Sequence, residues 1–214
     1  IETNAITVLK AVQGTAGNIG IAAGGTITVA NGTTNNAITA AGSGTITLST
    51  SSGGDVLINS SIESVTGGIV VAANRVLTIA NGAVIDAGSG TIALQAQENI
   101  TLGQVTTTNT GTTAVTLTSA VGRIVDGGDT GGADVIAGGR LVIDAVTGVG
   151  SGNALETTVA SVDIDNATSG NIEISETNAV TVFKAVQGTA GNISLAAGGT
   201  ITVDNAGGNA ITVL

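Results

Sequence analysis

The 214-residue chain contains no Cys, Met, Trp, Tyr, Pro or His, one aromatic residue, Phe183, and 34 Gly. It therefore has no imidazole base, no thiol nucleophile, no soft metal site and no rings of the kind that stack on sugars or bases. A formal net charge of −10 with five Lys plus Arg argues against a nucleic-acid surface or an anionic-lipid surface, both of which need clustered cations.

The remaining composition is that of a folded chain. Charged residues make up 9%, well below the ~25% usual in soluble domains, yet Ile, Val, Leu and Ala are frequent and evenly spread, unlike in a disordered chain. No apolar run approaches the ~18–20 residues of a membrane helix. The chain starts and stops within its own pattern, at "IETNAITV" and "NAITVL", and reads as a segment of a longer polypeptide without a signal peptide of its own. Lack of Cys and Met leaves nothing easily oxidised, which suits an extracellular location.

In chain order, the pattern predicts short strands. Apolar residues alternate with polar ones, and Gly, Asn and Ser bound each run. The principal strands centre on Ile19, Ile46, Ile69, Ile92, Val115, Leu141, Ile172 and Ile193. Gly precedes the first aliphatic by two residues in each case except at Thr113. The steps from Ile46 to Ile69, Ile92 and Val115 are equal, and the widest step runs from Leu141 to Ile172. Second aliphatic positions follow at Ile27, Leu77, Ile100, Val180 and Ile201, and weaker third ones at Ile38, Ile85 and Val105. Small inward residues are expected at Ala23, Ala73, Ala96, Ala145 and Ala197, and corners at "ANG" (30–32 and 80–82), "AAGG" and "GSG".

A recurring unit of three short strands in ~20–30 residues marks an all-β parallel solenoid, whose coils bury their apolar edges only against copies of themselves. A β-sandwich would need strands every ~8–12 residues without the longer period, and normally larger core residues than these. One continuous solenoid is therefore expected over residues 1–214.

A longer period lies above the coil. Residues 176–203 repeat residues 2–29 at an offset of 174, with only Ile6/Val180, Leu9/Phe183, Gly20/Ser194 and Ile21/Leu195 differing in 28 positions. Folding alone does not demand such identity, because inward positions need only suitable size. The sequence thus reads as a duplicated superrepeat of about seven coils, residues 1–174, followed by the start of the next, residues 175–214.

The phrases "GNISLAAGGTITV" (191–203) and "SGTITLSTSSGGDVLI" (43–58) resemble those of the filamentous-haemagglutinin-like exoproteins of Gram-negative bacteria. The resemblance implies a right-handed parallel β-helix in a large secreted or cell-surface adhesin. It carries over no functional residue.

Candidate chemistry is sparse. Asp126, Asp129 and Asp134, in a Gly-rich stretch between Arg123 and Arg140, could ligate calcium through oxygen, although the stretch lacks the calcium nonapeptide "GGxGxDxUx". A solvated acidic loop is the simpler reading, and no resident cofactor is expected. Asp163, Asp165 and Glu173 form a second acidic group; alternation puts Asp163 and Asp165 on one outward face, where stacked like charges call for a cation or hydration. Lys10 and Lys184, one repeat position in two copies, read as solvated lysines. A polysaccharide lyase would need carboxylates and a base clustered in a groove, and an ice-binding face would need Thr arrays that the aligned strands do not supply. The expected role is structural and non-enzymatic. The expected partners are other copies of the same repeat, end to end or side by side, with host or neighbouring cells engaged through other parts of the protein.

Overall fold

The computed structural model describes residues 2–30, 36–128, 132–204 and 209–214. Among them are 23 strands and no helix. All pairings between them are parallel, as in coils of one hand stacked on one another. The predicted β-solenoid is the fold.

Three ladders run the length of the molecule. The first joins Ile6, Ile27, Val56, Leu77, Ile100, Ile124, Val149, Ile172 and Ile193, which defines nine coils. The second runs from Ala11 through Ile38, Ile62, Ile85, Val105, Val135, Thr157 and Glu176 to Ala197. The third joins Ile19, Ile46, Ile69, Ile92, Val115, Leu141, Val162, Val182 and Val203. At ~4.8 Å per coil, nine coils make a rod of about 43 Å.

The alternation of the sequence explains the burial. In Ile46–Thr50, Ile46 and Leu48 are fully buried while Thr47 faces solvent. Ile69, Val71, Ile92, Leu94, Val115 and Leu117 repeat the arrangement in the next three coils. Ala23, Ala73, Ala96 and Ala145 are buried as expected, and Ala197 packs partly against the core. Corners hold their Gly for steric reasons: a Cβ on Gly67 would lie 2.1 Å from the Gly44 carbonyl oxygen, and one on Gly90 2.1 Å from that of Gly67. The corner at 80–82 turns through Gly82 at φ +83°; Asn31 and Gly32 of its counterpart lie outside the described residues.

From the sixth coil the layout changes. The second and third strands merge into Val135–Ala145 and then Leu155–Asn166, each in one run; in the next coil Ile172–Glu176 carries the second ladder at Glu176 and Val180–Gln187 the third. The coil count is close to the expected one, but the ladder membership differs beyond Leu141. Leu141 stacks on Val162, not on the ladder of Ile172, which belongs to the Ile6 series. The wide interval between Leu141 and Ile172 therefore holds a whole coil plus one further strand.

This shift changes how the two copies relate. Seven turns down from Ile6 lies Ile172, eight residues short of its repeat Val180. Seven turns down from Ile19 lies Val182, eleven short of Ile193. Measured against the local coil, from Ile172 to Ile193 or from Val180 to Ile201, the repeat unit spans seven turns and about four to five tenths of another. The same sequence thus returns on a different side of the rod. Every side accepts it because each asks only for aliphatic residues at alternate inward positions.

Candidate functional site

The Gly-rich acidic stretch joins the first and second strands of the sixth coil. Asp126 ends the Ile124–Asp126 strand, and Asp134 immediately precedes the Val135–Ala145 strand. Asp134 is fully buried, and Asp129 lies outside the described residues. The seventh coil contributes a third carboxylate that the linear sequence conceals, Glu156. Asp126, Asp134 and Glu156 each place an oxygen within 4.8 Å of the others. Asp126 accepts from the Gly128 N–H at 2.8 Å and from the Asn153 side-chain amide. Asp134 Oδ2 accepts from the Glu156 N–H at 3.0 Å. Glu156 Oε2 is buried without a hydrogen-bond donor among the described residues. These three oxygens could hold a hard divalent cation. Calorimetric titration with calcium tests that chemistry: heat abolished by Glu156→Gln assigns a cation to the cluster, and no heat at millimolar calcium removes it.

Neither flanking arginine joins this cluster through a described ion pair. Arg123 is exposed. Arg140 turns to the outward surface of later coils, where its guanidinium carbon lies 3.7 Å from the Phe183 ring centroid and Nη1 lies 3.9 Å from Asp163. Phe183 stands where the first copy has Leu9, so this cation–π contact belongs to the second copy alone.

Beside it, Asp144 stacks on Asp165, and Asp163 on Lys184. Lys184 reaches Asp165 in an ion pair, so it is more than the solvated lysine that the repeat alone suggests. Of the two expectations for the stacked carboxylates, a cation or hydration, Lys184 supplies a cation beside Asp165, and both side chains remain partly exposed. Its pKa is raised chiefly by the hydrogen bond to Asp165, against partial burial, with further help from the charges of Asp165, Asp163 and Asp144. The pKa of Asp144 is raised by loss of hydration among its neighbours, then by Asp165, with Lys184 opposing and Asp163 adding. Glu173 lies apart from this group. Its carboxylate accepts from Gly152 N–H at 3.0 Å and from the Asn171 amide at 2.7 Å.

A raised lysine pKa has a definite consequence for stability. The contribution of Lys184 is present below the unfolded value of 10.5 and is lost as pH rises through the higher folded value. Because the pair is partly exposed, with side chains 42% and 38% accessible, its contribution is at most about 1 kcal/mol. Lys184→Gln is expected to melt slightly below the parent chain at pH 8 and to match it above the folded pKa. Melting curves across that range check this; a difference that persists undiminished would contradict it.

A different polar array is fully internal. Asn166 is buried; its amide nitrogen donates to Ser169 and Gly170 carbonyls and to Gln187 Oε1, and its oxygen accepts from Gly148 N–H. Gln187, also buried, donates to the Ala190 carbonyl. Glu176, 3% exposed, accepts from Thr157 Oγ1 at 2.8 Å, Val159 N–H at 3.0 Å and Asn178 N–H at 3.0 Å. These groups tie the last coils together across corners where no aliphatic ladder runs.

Comparisons with family models, with curated proteins and with solved structures each find no match to the chain.

Proposed function

We propose that the chain is a rod-forming segment of a large secreted or cell-surface bacterial adhesin, or of an extracellular matrix fibre, and that it acts mechanically. The observation that carries this reading is the unbroken first ladder from Ile6 to Ile193, nine coils in parallel register, in which the sequence that opens at Glu2 begins again at Glu176. Such an arrangement converts sequence length into axial length with no change of cross-section. The "GNISLAAGGTITV" phrasing supports the filamentous-haemagglutinin-like assignment, and a chain without Cys or Met suits exposure outside the cell. The stiff stalk holds a binding part away from the surface that bears it.

Electron microscopy of the native material tests this reading. Isolated rods are the expected result. A continuous multi-chain fibre would instead assign the function to contacts between solenoids, and compact particles would overturn both.

A further inference from the structure

The two copies of the repeated coil sit in different surroundings, and the difference shows what each surface is built to meet. In the second copy, Val180, Val182 and Ala185 are buried against the preceding coil, and Gln187 is fully buried. In the first copy, which has no preceding coil among the described residues, Val8 is still buried, but the equivalent Ile6, Ala11 and Gln13 are half-buried, and Leu9 and Val12 are 64% and 58% exposed.

The polar side chains sharpen the comparison. Glu176 Oε2 is held by Thr157 Oγ1 and the Val159 N–H, whereas Glu2 makes only the local half of this pattern, accepting on Oε1 from the Thr3 and Asn4 N–H groups at 2.8 and 3.2 Å. Thr177 N–H bonds the Thr157 carbonyl at 2.9 Å; its equivalent, Thr3, falls back on the side chain of Glu2. Lys184 pairs with Asp165, while Lys10 is exposed. Gln187 accepts from Asn166 at 2.7 Å, while Gln13 turns onto Thr15 N–H at 3.3 Å. All the missing partners lie on one strand, Leu155–Asn166.

From this we infer that residues 2–13 form a docking face for the Leu155–Asn166 strand of a second copy of the repeat unit, with Glu2, Lys10 and Gln13 reading Thr157, Asp165 and Asn166. The opposite end fits the same rule. Ile27 and Val29 are fully buried under Val56 and Ile58, whereas their equivalents Ile201 and Val203 are 40% and 48% exposed. A coil of the Asp55–Ile58 type is what covers that surface where it is seen covered. The inference rests on the rod reading but adds a register. Each unit meets the one before it as Glu176 meets Thr157 here, and is turned about the axis by four to five tenths of a turn relative to it.

The test is a tandem protein, residues 1–175 followed by residues 2–214, beside the parent chain and a tandem with one residue deleted at the junction. The deletion reverses which side chains face inward and so breaks the register. Solution scattering is expected to show the in-register tandem as one straight rod about 35 Å longer than the parent, from its seven-and-a-fraction coils at ~4.8 Å, and the deleted one as two rods joined by a hinge. Glu2→Ala is expected to leave the melting temperature of the parent unchanged. At the junction of the tandem it is expected to lower it by several degrees, and Glu176→Ala is expected to do the same in the parent. Glu2→Gln and Glu176→Gln serve where alanine prevents folding. A silent Glu2→Ala at the junction, or a hinge in the in-register tandem, overturns the interface; in the latter case two intact rods would leave the rod reading standing.

Discussion

Valine at Gly90 is expected to disrupt the stacking of the third and fourth coils. A Cβ there would lie 2.1 Å from the Gly67 carbonyl oxygen and 2.4 Å from its carbon. The obstacle is backbone, so no rotamer change relieves it. Gly67 in turn sits against Gly44, and a Cβ on Gly44 would lie 2.2 Å from the Gly17 carbonyl oxygen, so the clash cannot be passed along the corner without moving several coils. The Gly90 carbonyl is also held by the Thr107 hydroxyl at 2.6 Å. Alanine should cost about 1–3 kcal/mol, the usual range for overpacking, and valine more. Gly20→Ser provides the contrast. Nothing lies within 4 Å of a Cβ at Gly20, and the second copy carries Ser194 at that position. Thermal unfolding should show a large drop for Gly90→Val and none for Gly20→Ser. Equal behaviour of the two would mean that the corners are not in contact as described.

Leu94→Ala is expected to cost about 2–5 kcal/mol, the range for emptying a packed aliphatic site. Leu94 is fully buried, with Val71 above it and Leu117 below. A solenoid coil has few ways to collapse onto a cavity, because its neighbours are fixed by backbone ladders on both sides. The same truncation at Ile21, which is half-buried in the first coil, should cost distinctly less. Because each coil contacts only its neighbours, Leu94→Ala should also weaken the middle of the rod more than its ends. Segment-resolved hydrogen exchange would show faster opening around residues 69–119 than in flanking coils. A uniform acceleration along the chain would contradict nearest-neighbour stacking.

Much of the fold was legible because every coil makes the same demand. Alternation placed Ile19, Ile46, Ile69 and Ile92 inward; the last three are fully buried, and Ile19, in the first coil, is half-buried. The small residues at Ala23, Ala73, Ala96 and Ala145 marked where the coil narrows. What escaped was the ladder beyond Leu141. Its partner Val162 lies within the long Leu155–Asn166 strand, where Ala160 stands in place of the Gly that precedes most principal strands. The merged strand Val135–Ala145 keeps its Gly, because a Cβ on Gly139 would meet the Gly111 carbonyl oxygen at 2.3 Å, whereas the backbone at Ala160 has room for a Cβ, and there the signal vanishes. The extra part-turn in the superrepeat was hidden for the same reason.

The polar constellations were legible only within a strand. Asp163 and Asp165 share an outward face, as alternation requires. Their neighbours, Lys184 and Asp144, come from the coils on either side, each a whole coil away from Asp165 along the chain. Glu156 joins Asp126 and Asp134 by the same route. Stacking register decides such contacts, and it depends on the length of each corner loop, which alternation does not report.

Stacked coils turn residues into axial length at a fixed rate. Electron microscopy of native molecules of known repeat number measures that rate directly. The stacked coils predict rods of constant width whose length grows by about 35 Å for each repeat unit, at ~4.8 Å per coil. A length that does not increase with repeat number, or a width that grows in its place, would contradict the account.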